Sequence, residues 1–155
     1  MSTTLPFRIL LLSITMLLAF TAHAQNKPEA IIKATVDKDF TDRQAVITAI
    51  ENFYIGDHTG SIKHKKLSMH EKGAYRYINR NGEYSESVFR LDSDDSDMNY
   101  KEELLSIEIY DKLAIARLRL DQVNSEKAEY KVMTLHKAKG QWKITTISWG
   151  FGITH

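Results

Sequence analysis

The sequence predicts an α+β domain, with helices first and an antiparallel sheet after them. Three observations carry that prediction. Apolar residues recur at helical spacing from Val46 to Phe53, and from Ala74 onward the period shortens to two. Asn81-Gly82 and Lys139-Gly140 are turn pairs of the kind that join adjacent strands.

The elements follow in order. Residues 25–39 mix Asn, Lys, Pro, Glu and Asp with Ala and Ile, and read as a flexible leader or a short helical turn. Thr41-Asp-Arg-Gln44 has the form of a capping box, a hydroxyl followed three residues on by an amide. It predicts a helix over Asp42–Ile55 that turns Val46, Ala49, Ile50 and Phe53 to the core. Asp42 then sits at the positive end of the helix dipole, and Gly56 is the stop. A shorter helix is expected over Ser61–Met69.

Ala74–Asn79 and Glu83–Val88 pair as a hairpin about Asn81-Gly82. Ser87–Asn99 is acidic and reads as a loop. Glu103–Tyr110 is a strand with Leu105, Ile107 and Ile109 on its core face, and Leu113–Leu120 alternates Ala114, Ala116, Leu118 and Leu120 with polar or outward positions. Glu129–Ala138 and Gln141–Phe151 close the sheet across Lys139-Gly140, with Trp142 as the core anchor of that hairpin.

Composition narrows the classes of function. The chain has 155 residues, 43% hydrophobic and 26% charged, which suits one domain with an ordinary core. With 21 basic against 20 acidic residues it carries no electrostatic footprint for nucleic acid. The absence of cysteine excludes disulfides, thiolate metal sites and a cysteine nucleophile.

The first 24 residues read as a cleaved signal peptide. Arg8 precedes the apolar run Ile9–Phe20, and Ala22-His23-Ala24 offers the small-residue cleavage site. The run is too short for a membrane span, which needs about 20 residues. Cleavage would leave Gln25–His155 with equal numbers of acidic and basic residues, periplasmic or secreted and not membrane-bound. The domain itself is expected over residues 40–155.

Few residues carry chemistry. His58 and His64 are six apart and cannot share a helix face, and no His-x-x-x-His pair occurs, so no metal is expected. Asp92-Ser-Asp94-Asp95-Ser-Asp97 has calcium-loop spacing, with Glu103 at the twelfth position, but Asp97 stands where such a loop needs glycine. A solvated acidic loop is the better reading. Arg117 and Arg119 read as a solvent-facing row, with Glu108 as a cross-strand partner. Phosphate-loop, nucleophile-elbow and dinucleotide fingerprints are all missing, and no cofactor is expected. Tyr54, Tyr77 and Trp149 can line an apolar pocket with polar handles, and His58 and His70, flanking the second helix, can bind or shuttle a proton at its mouth.

Taken together, Tyr54-Ile-Gly56-Asp-His58-Thr-Gly60, Met69-His70, the Asn81-Gly82 hairpin, the strand Ile107–Arg117 and Leu135-His-Lys-Ala-Lys-Gly140-Gln-Trp142-Lys-Ile144 form a recognisable series. It resembles the lumazine-binding family of the nuclear transport factor 2-like (NTF2-like, or SnoaL-like) superfamily, over roughly Phe40 to Trp149. The resemblance implies an exported bacterial protein with a conical α+β fold, a mouth between helices and sheet, and a homodimer. In that family proline commonly follows the histidine that closes the second helix; here Glu71 does.

The functional expectation is a small, mostly apolar ligand held in the cone by Tyr54, His58, His70, Tyr77 and Trp149, with no catalytic residue assigned. Two other readings stand beside it. One is a homodimeric interaction module. The other is an isomerase- or cyclase-type enzyme using His70 or Asp57, with Tyr54 as hydrogen-bond donor.

Overall fold

The structure is a computed structural model, and it describes residues 27–97, 100–122 and 127–153. The signal peptide read over residues 1–24 lies outside them. The chain divides into two units, Met1–Asp39 and Phe40–His155. The described part of the first is helical from Lys27, where the sequence suggested a leader. The second unit holds the sheet and the hydrophobic core. No helix among the described residues is long and apolar enough to cross a membrane.

Helix α1 runs Lys27–Thr59 and α2 runs Ile62–Ser68. Six strands follow: β1 Met69–Ile78, β2 Tyr84–Val88, β3 Tyr100–Tyr110, β4 Leu113–Gln122, β5 Lys127–Ala138 and β6 Gln141–Ile153. They form one sheet in the order β2-β1-β6-β5-β4-β3. Every neighbouring pair is antiparallel except β1 and β6, which run parallel. The expected α+β class and helix-then-sheet order are what the structure shows.

One face of α1 supplies Val46, Ala49, Ile50 and Phe53 to a core completed by Leu118, Leu120, Met133, Leu135, Ile144 and Ile147. Phe53 is buried to 1% exposure, a burial that contributes roughly 2–3 kcal/mol. Trp142 is buried as expected. The hairpins form where their turn pairs predict. Lys139 and Gly140 both take positive φ, 51° and 79°, as a tight primed turn requires. Asn79 braces the first hairpin, its Oδ1 accepting from the amides of Asn81 and Glu83 at 2.9 and 3.0 Å.

Three local expectations are corrected. Thr41 does not begin the helix; it lies within α1, so no capping box forms there. Asp42 is therefore not a dipole residue. It lies on the same stripe as Val46 and Ala49, is buried, and accepts from Trp142 and Lys137. Gly56 does not stop the helix. A Cβ there would come 2.9 Å from the Lys65 side chain and backbone, so this glycine lets α2 lie close. The stop is Gly60, at φ +66°.

A fourth correction matters most for function. Leu105 is not on the core face of β3. The pairing with β4 slips between Leu104 and Ser106, leaving Leu105 as an extra, exposed residue. Such a slip reverses the alternation, so Tyr100 and Glu102 face the same side as Ile107 and Ile109. Tyr100 is consequently buried at 5% exposure.

Candidate functional site

The extra turn of α1 and the bulge of β3 bring two pairs of residues together. Asp57 and His58 occupy the last turn of α1. Tyr100 and Glu102 occupy the first half of β3. The Tyr100 hydroxyl donates a short hydrogen bond to Asp57 Oδ2. His58 lies between two carbonyl oxygens, with Nδ1 3.1 Å from that of Tyr54 and Nε2 3.1 Å from that of Tyr100. Carbonyl oxygens only accept, so both bonds form together only when the ring is the doubly protonated cation. The ring also packs on Tyr54, centroids 3.9 Å apart, and edge-on to Tyr100 at 4.4 Å.

Strand β5 adds Glu129 and Lys131 on the same side. Both side chains are 12% exposed, and Lys131 Nζ is 3.9 Å from Glu129 Oε1. The ammonium also stands 5.4 Å from the Phe53 ring and 5.0 Å from the Tyr100 ring, within cation–π range. An aromatic wall faces them from β1 and β6. Tyr77 stacks on Trp149 at 4.4 Å, and Tyr75 meets Trp149 edge-on at 5.9 Å.

These groups border two adjoining clefts of about 270 Å³ each. One is lined by Phe53, Asp57, Tyr75, Tyr100, Glu129, Lys131 and Trp149. The other runs from Asp57 and Tyr75 toward Lys65, Met69, Arg90 and Asp95. Asp57, Tyr75 and Asp97 belong to both. A larger groove of about 570 Å³ lies between the start of the domain helix and the β5–β6 turn, but Lys143 is the only ionisable side chain along it. The chemistry is in the smaller clefts.

Burial and the Asp57 charge set the proton affinities here. Burial pushes the Glu102 carboxyl up to about 7, against the pull of Lys131. Its Oε1 is buried with no hydrogen-bond partner. Burial also raises Glu129, again opposed by Lys131. The Tyr75 phenol rises to about 12 by burial and then by Asp57, and Tyr100 is raised further by burial and its bond to Asp57. All four are pushed upward by the negative charge of Asp57.

The sequence-predicted residues divide. Trp149 lines a cleft, and Tyr77 backs it by stacking. Tyr54 and His58 stand behind the wall, Tyr54 packed against the core. His70 does not join them. It borders a different opening with Lys66, Leu91 and Lys143, and its Nδ1 accepts from the Lys72 amide at 3.0 Å. Asp57, named for the enzyme reading, does line both clefts, and its donor is Tyr100 in place of Tyr54. Tyr100, Glu102, Glu129 and Lys131 were not singled out from sequence. The signal that was there is Leu104-Leu105, two adjacent apolar residues in an alternating strand.

The acidic loop has a simple cation of its own. Lys65 is buried at 6% exposure, and its Nζ donates to the carbonyls of Ser93 and Asp95 at 2.8 and 2.6 Å. An ammonium thus ties down the segment whose spacing suggested calcium. No cluster of three metal-ligating side chains occurs among the described residues. Arg117 and Glu108 form the exposed cross-strand pair expected, at 3.5 Å.

No family model matches the sequence, and no curated protein does. Solved structures match the fold. An NTF2-like protein of unknown function from Shewanella baltica OS155 aligns with a TM-score of 0.62 at 12% identity, covering 74% of this chain and 97% of its own. One from Silicibacter pomeroyi DSS-3 gives 0.60 at 12% identity, covering 74% and 98%. An NTF2-like protein with a cystatin-like fold from Novosphingobium aromaticivorans gives 0.59 at 12% identity, covering 81% and 90%. The fold is therefore the NTF2-like α+β cone, helices packed on a curved, mostly antiparallel sheet.

Proposed function

We propose that the protein holds a small ligand in the paired clefts beside Asp57, Tyr75 and Trp149. The carrying observation is the convergence there of apolar and aromatic surface from Phe53, Tyr75 and Trp149 with polar groups fixed by their own hydrogen bonds. Such a mixture, a largely apolar wall with a few oriented polar groups, is the usual build of a small-molecule site. The ligand has an apolar body for the aromatic wall and a polar end for the Asp57–Tyr100 pair. The signal-like residues 1–24 support a periplasmic or secreted location, and the motif series from Tyr54 to Ile144 supports kinship with lumazine-binding-like proteins that pair as homodimers. Native mass spectrometry of the purified domain, with and without Trp149→Ala, tests the reading. A co-purifying small molecule lost in the variant supports it; a molecule retained equally by both places binding elsewhere.

One observation favours acid–base catalysis as a second reading. Glu102, raised to about 7, stands near the Tyr100–Asp57 pair as a carboxyl able to exchange a proton close to neutral pH. Turnover of a bound ligand that Glu102→Gln abolishes would establish it.

A further inference from the structure

Resting on the cleft reading above, we infer that the ligand's polar end is a cation, an ammonium or other protonated amine. The cleft wall carries the carboxylates of Asp57, Asp97 and Glu129 against the single ammonium of Lys131. Behind it stand the Glu102 carboxyl and the His58 ring, the ring placed by the carbonyls of Tyr54 and Tyr100. The aromatic rings of Tyr75 and Trp149 complete the wall, and an aromatic face next to carboxylates is the arrangement that attracts an organic cation. The protein already shows the preference within its own chain: Lys131 places its ammonium against Phe53, Tyr100 and Glu129. Glu102 Oε1, buried without a donor, is one more acceptor in the same field. The upward push on Tyr75, Tyr100 and Glu129 from Asp57 agrees with a negative potential. An anionic ligand would meet cations that already have partners: Lys131 beside Glu129, and in the adjoining cleft Lys65 on the carbonyls of Ser93 and Asp95 and Arg90 on the Asp95 carboxylate.

Three probes of one ring and graded charge test this: phenethylamine, 3-phenylpropanol and 3-phenylpropionate. Each is titrated to millimolar concentration while the indole N–H resonances of Trp142 and Trp149 are followed by NMR. The expected result is a Trp149 shift with phenethylamine at least tenfold tighter than with the alcohol, and weakest with the acid. Glu129→Gln, a nearly isosteric change checked for folding by circular dichroism, should narrow the amine preference severalfold; raised salt should do the same in the wild type. Equal or tighter binding of the acid overturns the cation assignment while leaving the cleft reading intact. Absence of any Trp149 shift with all three probes overturns both.

Discussion

Trp142 Nε1 donates to Asp42 Oδ1 at 3.1 Å, joining α1 to the last hairpin across 100 positions of sequence. Lys137 Nζ reaches the same oxygen at 2.5 Å. One buried carboxylate thus takes a donor from each strand of the β5–β6 hairpin. Asp42→Ala leaves an indole N–H and an ammonium without this acceptor, and should cost about 2–4 kcal/mol. Asp42→Asn keeps an acceptor and should cost clearly less. Urea denaturation of the three proteins measures both values; equal losses would mean that the carboxyl's volume matters more than its acceptors.

Gly60 is where α1 ends and the acidic loop passes. Its φ of +66° disfavours any side chain, and an added Cβ would fall 2.1 Å from the Asp94 carbonyl oxygen. Gly82 has a similar φ of +81° but open space around it. Gly82→Ala should therefore show only the backbone cost of about 1–2 kcal/mol, and Gly60→Ala distinctly more. The difference between the two midpoints in denaturant isolates the steric contact. Similar losses would show that the loop simply moves aside.

Glu102 predicts a pH dependence whose sign can be worked out. Its carboxyl rises from the ordinary 4.5 to about 7 in the folded protein. Between those values the folded state keeps a proton that the unfolded state releases. The stabilisation is complete below about 4.5 and is lost as pH rises through 7. Relative to Glu102→Gln, the wild type should lose about 1–3 kcal/mol between pH 5 and pH 8. Thermal or chemical denaturation of both proteins across that range gives the difference curve. A difference that is flat or rises with pH would refute it.

The legible and the hidden parts of the molecule divide by range. Helical spacing and turn pairs are local, so Val46 to Phe53 and both hairpins were readable. The β3 bulge was not, because it depends on how Leu104 and Leu105 compete for the face opposite Leu118. Missing it hid Tyr100 and Glu102, since one slipped residue reverses every side chain beyond it. Asp57 lost its helix for a similar reason: Gly56 reads as a stop until α2 is seen packed against it. The aromatic half of the site was legible as residue types, whereas the charged half required knowing which face each strand turned inward.

The Asp57–Tyr100 bond is the joint between those two missed features, and its energy can be measured. Asp57→Asn removes the charge but keeps an acceptor, and Tyr100→Phe removes the donor, each keeping nearly the same shape. In the double variant the neutral amide misses its donor less than the carboxylate does, so the cost should fall short of the sum of the single costs. A charge-assisted bond of this kind should give a coupling of about 1–2 kcal/mol. His58 offers an internal control, because it contacts the Tyr100 carbonyl and not the hydroxyl. Tyr100→Phe should leave that contact in place, so His58→Gln should couple far more weakly to Tyr100→Phe than Asp57→Asn does. Both cycles are read from urea denaturation at one pH, well above the carboxylate range. Additive behaviour of Asp57→Asn and Tyr100→Phe would mean that the hydroxyl and carboxylate lie close without stabilising each other. The bulge at Leu105 would then be positioning Tyr100 for its ring contacts alone.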